Sequence, residues 1–425
     1  MSLSLTDVDV FTASLSLETK DMILPATLTL TRNGEIQSSF SLHKPDTTIY
    51  DSTLKASTDY TWQVLLKKGD QIEKSSNVLT ARTLDTTSHD FTWRVDTLGY
   101  FLSIVRDVAI IDDNNIWAVG TFYKKHANPD STVMDEYGIA IWNGVEWKLK
   151  REYYIENGKP DLNSSVDPEA IFVVSPDEIW MSAGRTLIRS KNGRMQFFNT
   201  GLLNEYEGIS KIWAKDANNV YFVGIRGAIL FYDGSSFTRI PYPENINFVD
   251  IWGDKDGVVR AVGNQLEWGW ASVVVKLTST SVTNEVEGLN REDLDENVQT
   301  DIFTSVWWSD SRKTWFVGNN GVSSFQNKKF KRLFSNAYGE NNNHSIFNRG
   351  KSNTDIMFCG IYGQVFHFNG ATIEKFNNFF QSKNPSYRLD KISYNGRIVC
   401  LGGSIGGTGS FEDQTRAIVV IGKRN

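Results

Sequence analysis

Asp216-Ala217-Asn218-Asn219-Val220-Tyr221-Phe222-Val223-Gly224, followed closely by Leu230-Phe231-Tyr232-Asp233-Gly234-Ser235-Ser236-Phe237, carries the pattern from which the rest of the chain can be read. Asp and Asn favour tight turns because their side chains bond nearby backbone and tolerate left-handed conformations. The run after the turn is apolar and aromatic, as a buried strand requires. Asp233-Gly234 between two apolar runs is a strong short signal for a hairpin. One strand must precede the first turn, so the unit reads as four antiparallel strands, A to D.

The unit repeats. Its second strand recurs as Ile116-Trp117-Ala118-Val119-Gly120, Trp180-Met181-Ser182-Ala183-Gly184 and Val259-Arg260-Ala261-Val262-Gly263. It recurs again as Thr314-Trp315-Phe316-Val317-Gly318, Ile356-Met357-Phe358-Cys359-Gly360 and Ile398-Val399-Cys400-Leu401-Gly402, which makes seven copies. The turns before it are alike, as in Asp112-Asp113-Asn114-Asn115, Ser175-Pro176-Asp177-Glu178 and Asp254-Lys255-Asp256-Gly257. The hairpin recurs around Asn143-Gly144 and Asn369-Gly370. Four-stranded units at a period of about 40 residues are blades of a β-propeller. The expected fold is therefore all-β, with a seven-bladed propeller over residues 89–425. The seventh unit lacks a strand D, and Asp90-Phe91-Thr92-Trp93-Arg94-Val95-Asp96 precedes blade one as a spare. This segment is expected to complete the last blade and remove the free edges that invite aggregation. Trp117, Trp180, Tyr221 and Trp315 share one position in the repeat, which reads as core between blades and not as a ligand platform.

Residues 1–88 read as a separate β-sandwich. Ala26-Thr27-Leu28-Thr29-Leu30-Thr31 alternates with period two and runs into Asn33-Gly34. The segment Leu54-Lys55-Ala56-Ser57-Thr58-Asp59-Tyr60-Thr61-Trp62-Gln63-Val64, with Ser75-Ser76-Asn77 and the closing Thr83, resembles a fibronectin type III module. The resemblance implies a Tyr packed at a strand corner. It also implies a spacer role in a secreted or surface protein. Ser190-Lys191-Asn192-Gly193-Arg194-Met195-Gln196-Phe197 resembles a degenerate Asp-box turn of sialidase-like propellers. Those turns are structural in that family, and its arginine clamp and Tyr/Glu nucleophile pair do not map onto this chain.

Composition narrows the function classes. The 425 residues hold 44 Lys+Arg against 50 Asp+Glu, a net charge of −6, so no basic excess exists to neutralise nucleic-acid phosphates. Aromatics make up 12% of the chain, with 33 Gly and only 9 Pro, as an all-β chain with many turns requires. Cys359 and Cys400 sit in apolar runs and read as buried thiols. No apolar run is long enough to span a bilayer, and the first residues, with no basic start and no long apolar stretch, are expected not to be a signal peptide. The five His are scattered, so no metal, cofactor or catalytic set is expected.

The site expectation comes from loop length. A–B and C–D turns lie on one face and are short. Thr121 to Tyr137, Tyr153 to Pro168, Asn264 to Ala271, Glu287 to Asp301, Phe376 to Tyr387 and Gly403 to Thr415 all fall on the B–C and D–A face. Long loops on one face of a rigid scaffold are where binding residues gather. Glu267, Trp268 and Trp270 form a polar loop with two aromatics, suited either to stacking on a ligand or to anchoring the loop itself. Tyr123 and Lys124 offer hydrogen-bond donors, and Arg185, Arg226, Asn319 and Tyr362 follow B strands, where they are expected to ring the channel mouth. The leading expectation is a monomeric, extracellular or cell-surface recognition protein with a glycan or protein ligand. The alternative is a carbohydrate-active enzyme drawing two carboxylates from loop acids such as Glu267, Asp301 or Asp413.

Overall fold

The computed structural model describes residues 1–68, 71–128, 133–156, 159–243, 246–254, 257–265, 272–286, 303–308, 314–318, 321–326, 329–335, 346–360, 363–376, 386–406 and 415–425. Among the described residues every regular element is a strand, and no helix is long and apolar enough to cross a membrane. The chain divides into two compact units. One comprises Met1–His89 with Asn353–Asp355 and Phe368–Ile373, and the other holds the remainder.

In the first unit, β1 (Ser2–Val8), β2 (Thr12–Glu18) and β5 (Asp46–Ser52) form one sheet. β3 (Ala26–Arg32), β4 (Glu35–Leu42), β6 (Asp59–Lys68), β7 (Gln71–Ser75) and β8 (Leu79–Arg82) form the other. Leu15, Leu28, Trp62 and Val64 are wholly buried in its core. The Trp62 indole N–H donates to Asp51 Oδ2 at 2.7 Å, and Arg32 pairs with the same carboxylate at 3.1 Å, so the buried polar groups are satisfied. The Lys55 N–H donates to the Tyr60 hydroxyl at 2.9 Å, five residues upstream of the ring that accepts it.

Among its described residues the second unit holds seven four-stranded antiparallel sheets. Their innermost strands are β10 (Ile104–Asp112), β16 (Ala170–Ser175), β20 (Gly208–Asp216), β24 (Ile246–Gly253), β28 (Phe303–Trp307), β32 (Ile346–Ser352) and β36 (Ser386–Tyr394). Each touches the next, and β36 touches β10, so the inner strands close a ring. The last sheet runs β36, β37 (Ile398–Gly406), β38 (Arg416–Arg424) and then β9 (Phe91–Leu98), with Val95 opposite Val420. The spare strand read from the sequence thus lies where the expectation put it.

The recurrent aromatics are interior. Trp180 and Trp315 are fully buried, and Trp117 and Tyr221 nearly so. Trp180 sits among Phe198, Phe222, Tyr232 and Phe237, side chains from two neighbouring sheets, with ring centroids 5.1–6.0 Å away. The recurrent glycine has a steric cause. A Cβ on Gly120 would lie 2.1 Å from the Ile104 carbonyl, and one on Gly224 would lie 1.8 Å from that of Gly208. In the seventh sheet the glycine at this pairing position is Gly403, opposite Leu389, and not Gly402 as the repeat suggested. The motif there is one residue out of step.

Candidate functional site

Five of the inner strands carry the same bulge. Pairing with the second strand slips between Val105 and Asp107, Ile209 and Lys211, Phe248 and Asp250, Phe303 and Ser305, and Leu389 and Lys391. A bulge leaves one residue unpaired and re-aims its side chain. Arg106, Ser210, Val249 and Asp390 are such residues, and all four line a cavity of about 470 Å³ on the axis of the ring. Glu169, Lys211, Asn247, Arg388 and Lys391 line it as well, with Ile104 and Ile225 at its edge, each 38% exposed. These residues start inner strands or end second strands, so the cavity opens on the B–C and D–A face. A second cavity of about 180 Å³ lies further along the inner strands toward the A–B turns, lined by Asp107, Lys211, Trp252, Arg349 and Tyr394 among others.

The residues just past the bulges form an axial belt built twice on one plan. Asp107 Oδ2 accepts the Ile171 N–H of the next sheet (3.2 Å), and Oδ1 accepts Lys211 Nζ of the sheet after that (2.6 Å). Asp250 Oδ2 accepts the Val306 N–H of the next sheet (3.0 Å), and Arg349 two sheets on grips both its oxygens at 2.7 and 2.8 Å. Each aspartate staples three sheets at the centre of the ring. Burial works against the Asp250 charge, yet the Arg349 guanidinium outweighs it and holds the carboxyl below its usual range. Lys391 has no such partner, with Asp390 3.7 Å away, and burial pulls its pKa down against that weak pairing. The belt therefore reads as structure, and the groups left for a ligand lie above it, at the mouth.

A second cluster stands beside the mouth. The expected loop from Thr121 to Tyr137 is largely strand. β11 (Asn115–Lys125) and β12 (Met134–Trp142) continue as a ribbon in which Tyr123 faces Glu136 and Lys124 faces Asp135. Tyr153 to Pro168 likewise contains a hairpin, β14 (Tyr153–Glu156) and β15 (Lys159–Ser165). Ser165 Oγ donates to Glu136 Oε1 at 2.5 Å, and Thr121 Oγ1 donates to Asp167 Oδ2 at 3.3 Å. Arg151 donates to the Glu136 carbonyl and lies over the Tyr137 ring at 4.8 Å. Burial and the neighbouring Glu136 charge push the Asp167 carboxyl up to about 6.

An unfolded Asp ionises near pH 4. Between that pH and about 6 the unfolded chain has already released the proton that folded Asp167 still holds, so stability falls as the pH rises through this window. Asp167→Asn is expected to add about 1 kcal/mol at pH 7, after allowance for solvent screening. It should also flatten the pH dependence between 4 and 6, as read from urea midpoints across that range.

The expected site residues divide as follows. Arg226 does not itself line the axial cavity; it follows Ile225, which does, and its N–H donates to Asn247 Oδ1, another lining residue, at 2.9 Å. Tyr123 and Lys124 lie on the ribbon, with Lys124 over the Tyr137 ring at 5.9 Å. Burial first, and then the Glu136 charge, raise the Tyr123 hydroxyl. Arg185 is exposed and does not line the axial cavity. Like Arg226 it follows the second strand of its sheet, but its turn takes the left-handed step at Gly184 before it. Glu267, Trp268, Trp270, Asn319, Tyr362, Asp301 and Asp413 lie outside the described residues. Sequence reading missed Arg106, Asn247, Arg388 and the belt. The signal was there inside the inner strands, as the polar residues Asp107, Lys211, Asp250, Ser305 and Lys391, each followed directly by an apolar one. Among the described residues no group of three His, Cys, Asp or Glu is placed to hold a metal, and both cysteines are buried and unpaired.

No family model matches the chain, and no curated protein matches it. Solved structures do. YCF48 bound to D1 peptide aligns at 11% identity over 80% of this chain and 100% of that one, with a TM-score of 0.54. A chain of the mitotic checkpoint complex aligns at 10% identity over 80% of this chain and 98% of that one, with a TM-score of 0.49. At such identities the likeness speaks for the fold, and by that likeness the chain is an all-β protein with a propeller-like unit.

Proposed function

We propose that this chain is a non-enzymatic recognition protein that binds a protein segment at the axial mouth of its propeller-like unit. In this reading residues 89–425 form a seven-bladed propeller closed by its own N-terminal strand, and residues 1–88 form a fibronectin type III-like spacer. The closed ring of inner strands supports the first assignment. The Tyr60 hydroxyl accepting the Lys55 N–H supports the second, because fibronectin and immunoglobulin-like sandwiches hold such a tyrosine at the same corner. An extracellular or cell-surface monomer is the setting that suits a spacer and a binding head.

The observation that carries the functional reading is the cavity of about 470 Å³ at the mouth. Bulges in the inner strands turn polar and charged side chains into it, and exposed Ile104 and Ile225 form an apolar edge. A concave site with a few convergent polar groups on an apolar wall is how proteins take up ligands. A structural neighbour of matching fold is described with a peptide bound, which agrees with a peptide-sized ligand. Selection of a displayed random-peptide library on the purified chain, with a polysaccharide panel run beside it, tests the reading. Enriched peptides that compete for one site are expected. Polysaccharide binding without peptide enrichment would return the glycan reading and the Trp268/Trp270 loop to first place. Release of sugar products would replace recognition with catalysis.

A further inference from the structure

We infer that the mouth selects an acidic segment of its protein partner, and that Arg226 is the residue that reads the carboxylate. The inference rests on the recognition reading above and names the chemistry of the ligand.

Arg226 occupies a costly conformation. Ile225-Arg226-Gly227-Ala228 is a tight turn closed by the Ala228 N–H on the Ile225 carbonyl at 3.2 Å. Arg226 has φ +56° and Gly227 has φ +72°. Left-handed backbone at both central positions suits Asn, Asp or Gly, and a residue with a long side chain at the first of them is disfavoured by about 1 kcal/mol. Nothing in the folding of the turn calls for arginine. A strained residue of this kind is held by its surroundings, and such residues concentrate at binding sites. Here Asn247 holds it, through its Oδ1 on the Arg226 N–H. The guanidinium lies over the Tyr206 ring at 5.7 Å, and that ring is 65% exposed. A cation steadied on an aromatic face loses less freedom when a carboxylate arrives.

Its charge is not locked in an ion pair among the described residues, although it acts on the buried Glu207 carboxylate. The nearby Glu207 carboxylate is buried and gripped at both oxygens by Arg239, at 2.6 and 2.7 Å. Among the described residues neither Arg226 nor Arg106 makes an ion pair, while Arg388 and Lys391 share the single carboxylate of Asp390. Among the described residues lining the mouth, Arg106, Lys211, Arg388 and Lys391 stand against the carboxylates of Glu169 and Asp390, with Asp107 paired to Lys211 and Arg226 adjoining through Ile225, on a chain whose net charge is −6. A local cationic mouth on an acidic molecule attracts carboxylates and turns away basic segments. Guanidinium also matches the two oxygens of a carboxylate geometrically.

The test uses the intact chain and three labelled ten-residue peptides, in which alanine alternates with glutamate, glutamine or lysine. Fluorescence anisotropy is read at low and moderate salt. The glutamate peptide is expected to bind at least about tenfold more tightly than the glutamine peptide, to weaken as salt rises, and to leave the lysine peptide unbound. Arg226→Asn is expected to lower glutamate-peptide affinity about tenfold while the thermal midpoint stays level or rises, because Asn accepts the left-handed turn. Arg106→Gln should weaken the same peptide with no change in midpoint. Equal affinity for the glutamate and glutamine peptides would overturn the acidic preference and leave the recognition reading intact. Full affinity in Arg226→Asn would remove Arg226 from the site. Binding of none of the three peptides, together with no enrichment from the random library, would overturn both readings.

Discussion

Arg349→Ala is expected to lose about 3–5 kcal/mol of folding stability at neutral pH, measured by urea denaturation. The variant removes the guanidinium that grips Asp250 at both oxygens. Asp250 is 1% exposed, and in the variant Ser305 Oγ and the Val306 N–H remain its bonded donors. Two hydrogen bonds do not offset the desolvation of a full charge. The buried carboxyl then gains from taking a proton, so its folded pKa rises above its unfolded value. The deficit should therefore shrink as the pH falls toward 4 and grow as it rises. Asp250→Asn in the same background should recover part of the loss at pH 7, because no buried charge is left unpaired. A loss under 1 kcal/mol in Arg349→Ala would mean that the axial belt is ornament to a ring held by its apolar interfaces alone.

Trp180→Ala is expected to cost about 3–5 kcal/mol for a different reason. Its indole fills the space between two neighbouring sheets, against Phe198 at 5.6 Å, Phe222 at 5.3 Å and Tyr232 at 5.1 Å, with the Arg189 guanidinium 5.5 Å from its ring. Truncation opens a cavity that rigid flanking strands cannot close. Trp180→Phe should cost only about 1–2 kcal/mol, because the indole N–H is buried without a hydrogen-bond partner and its loss offsets part of the lost packing. A ligand platform would behave in the opposite way, with little stability lost and binding abolished. The two variants in one denaturation series separate the readings.

Much of the fold was legible because each repeat states its strand pattern locally. The turn before Val220, the aromatic after it and the Asp233-Gly234 hairpin are set by neighbours in sequence. The same holds for the Leu54 to Val64 segment with its corner tyrosine. Even the closing strand was readable, since the last repeat was one strand short and the first had one to spare. Where the reading slipped, the register of the second strand was responsible. Lys391, just past the bulge, pairs Gly402, whereas Asp107 and Lys211 at the same place pair Val119 and Val223, so the glycine that meets the facing carbonyl is Gly403.

The site was less legible because its parts are far apart in sequence. Asp107 meets Lys211, and Asp250 meets Arg349, only when the ring closes. Glu136 and Asp167 converge because the ribbon from Thr121 and the hairpin from Tyr153 stand side by side, and both segments looked like loops. Arg226 was singled out by its place after a strand, but its left-handed backbone and its seat on Tyr206 are properties of the folded chain.

The central claim is that the propeller-like unit recognises its partner on the B–C and D–A face, at the axial mouth. The measurement that tests it most directly compares two surface variants against peptides selected on the parent chain. Ile225→Asp places a charge at the mouth, where the native residue is 38% exposed. Val145→Asp places the same charge on the C–D turn of the opposite face, where the native residue is 75% exposed. Ile225 is only 38% exposed and paired in a strand, so the thermal midpoint of each variant is read beside its affinity. Loss of at least about tenfold in Ile225→Asp, with full affinity in Val145→Asp, is the predicted result. Full affinity in Ile225→Asp with loss in Val145→Asp would contradict the account and move the site to the short-turn face.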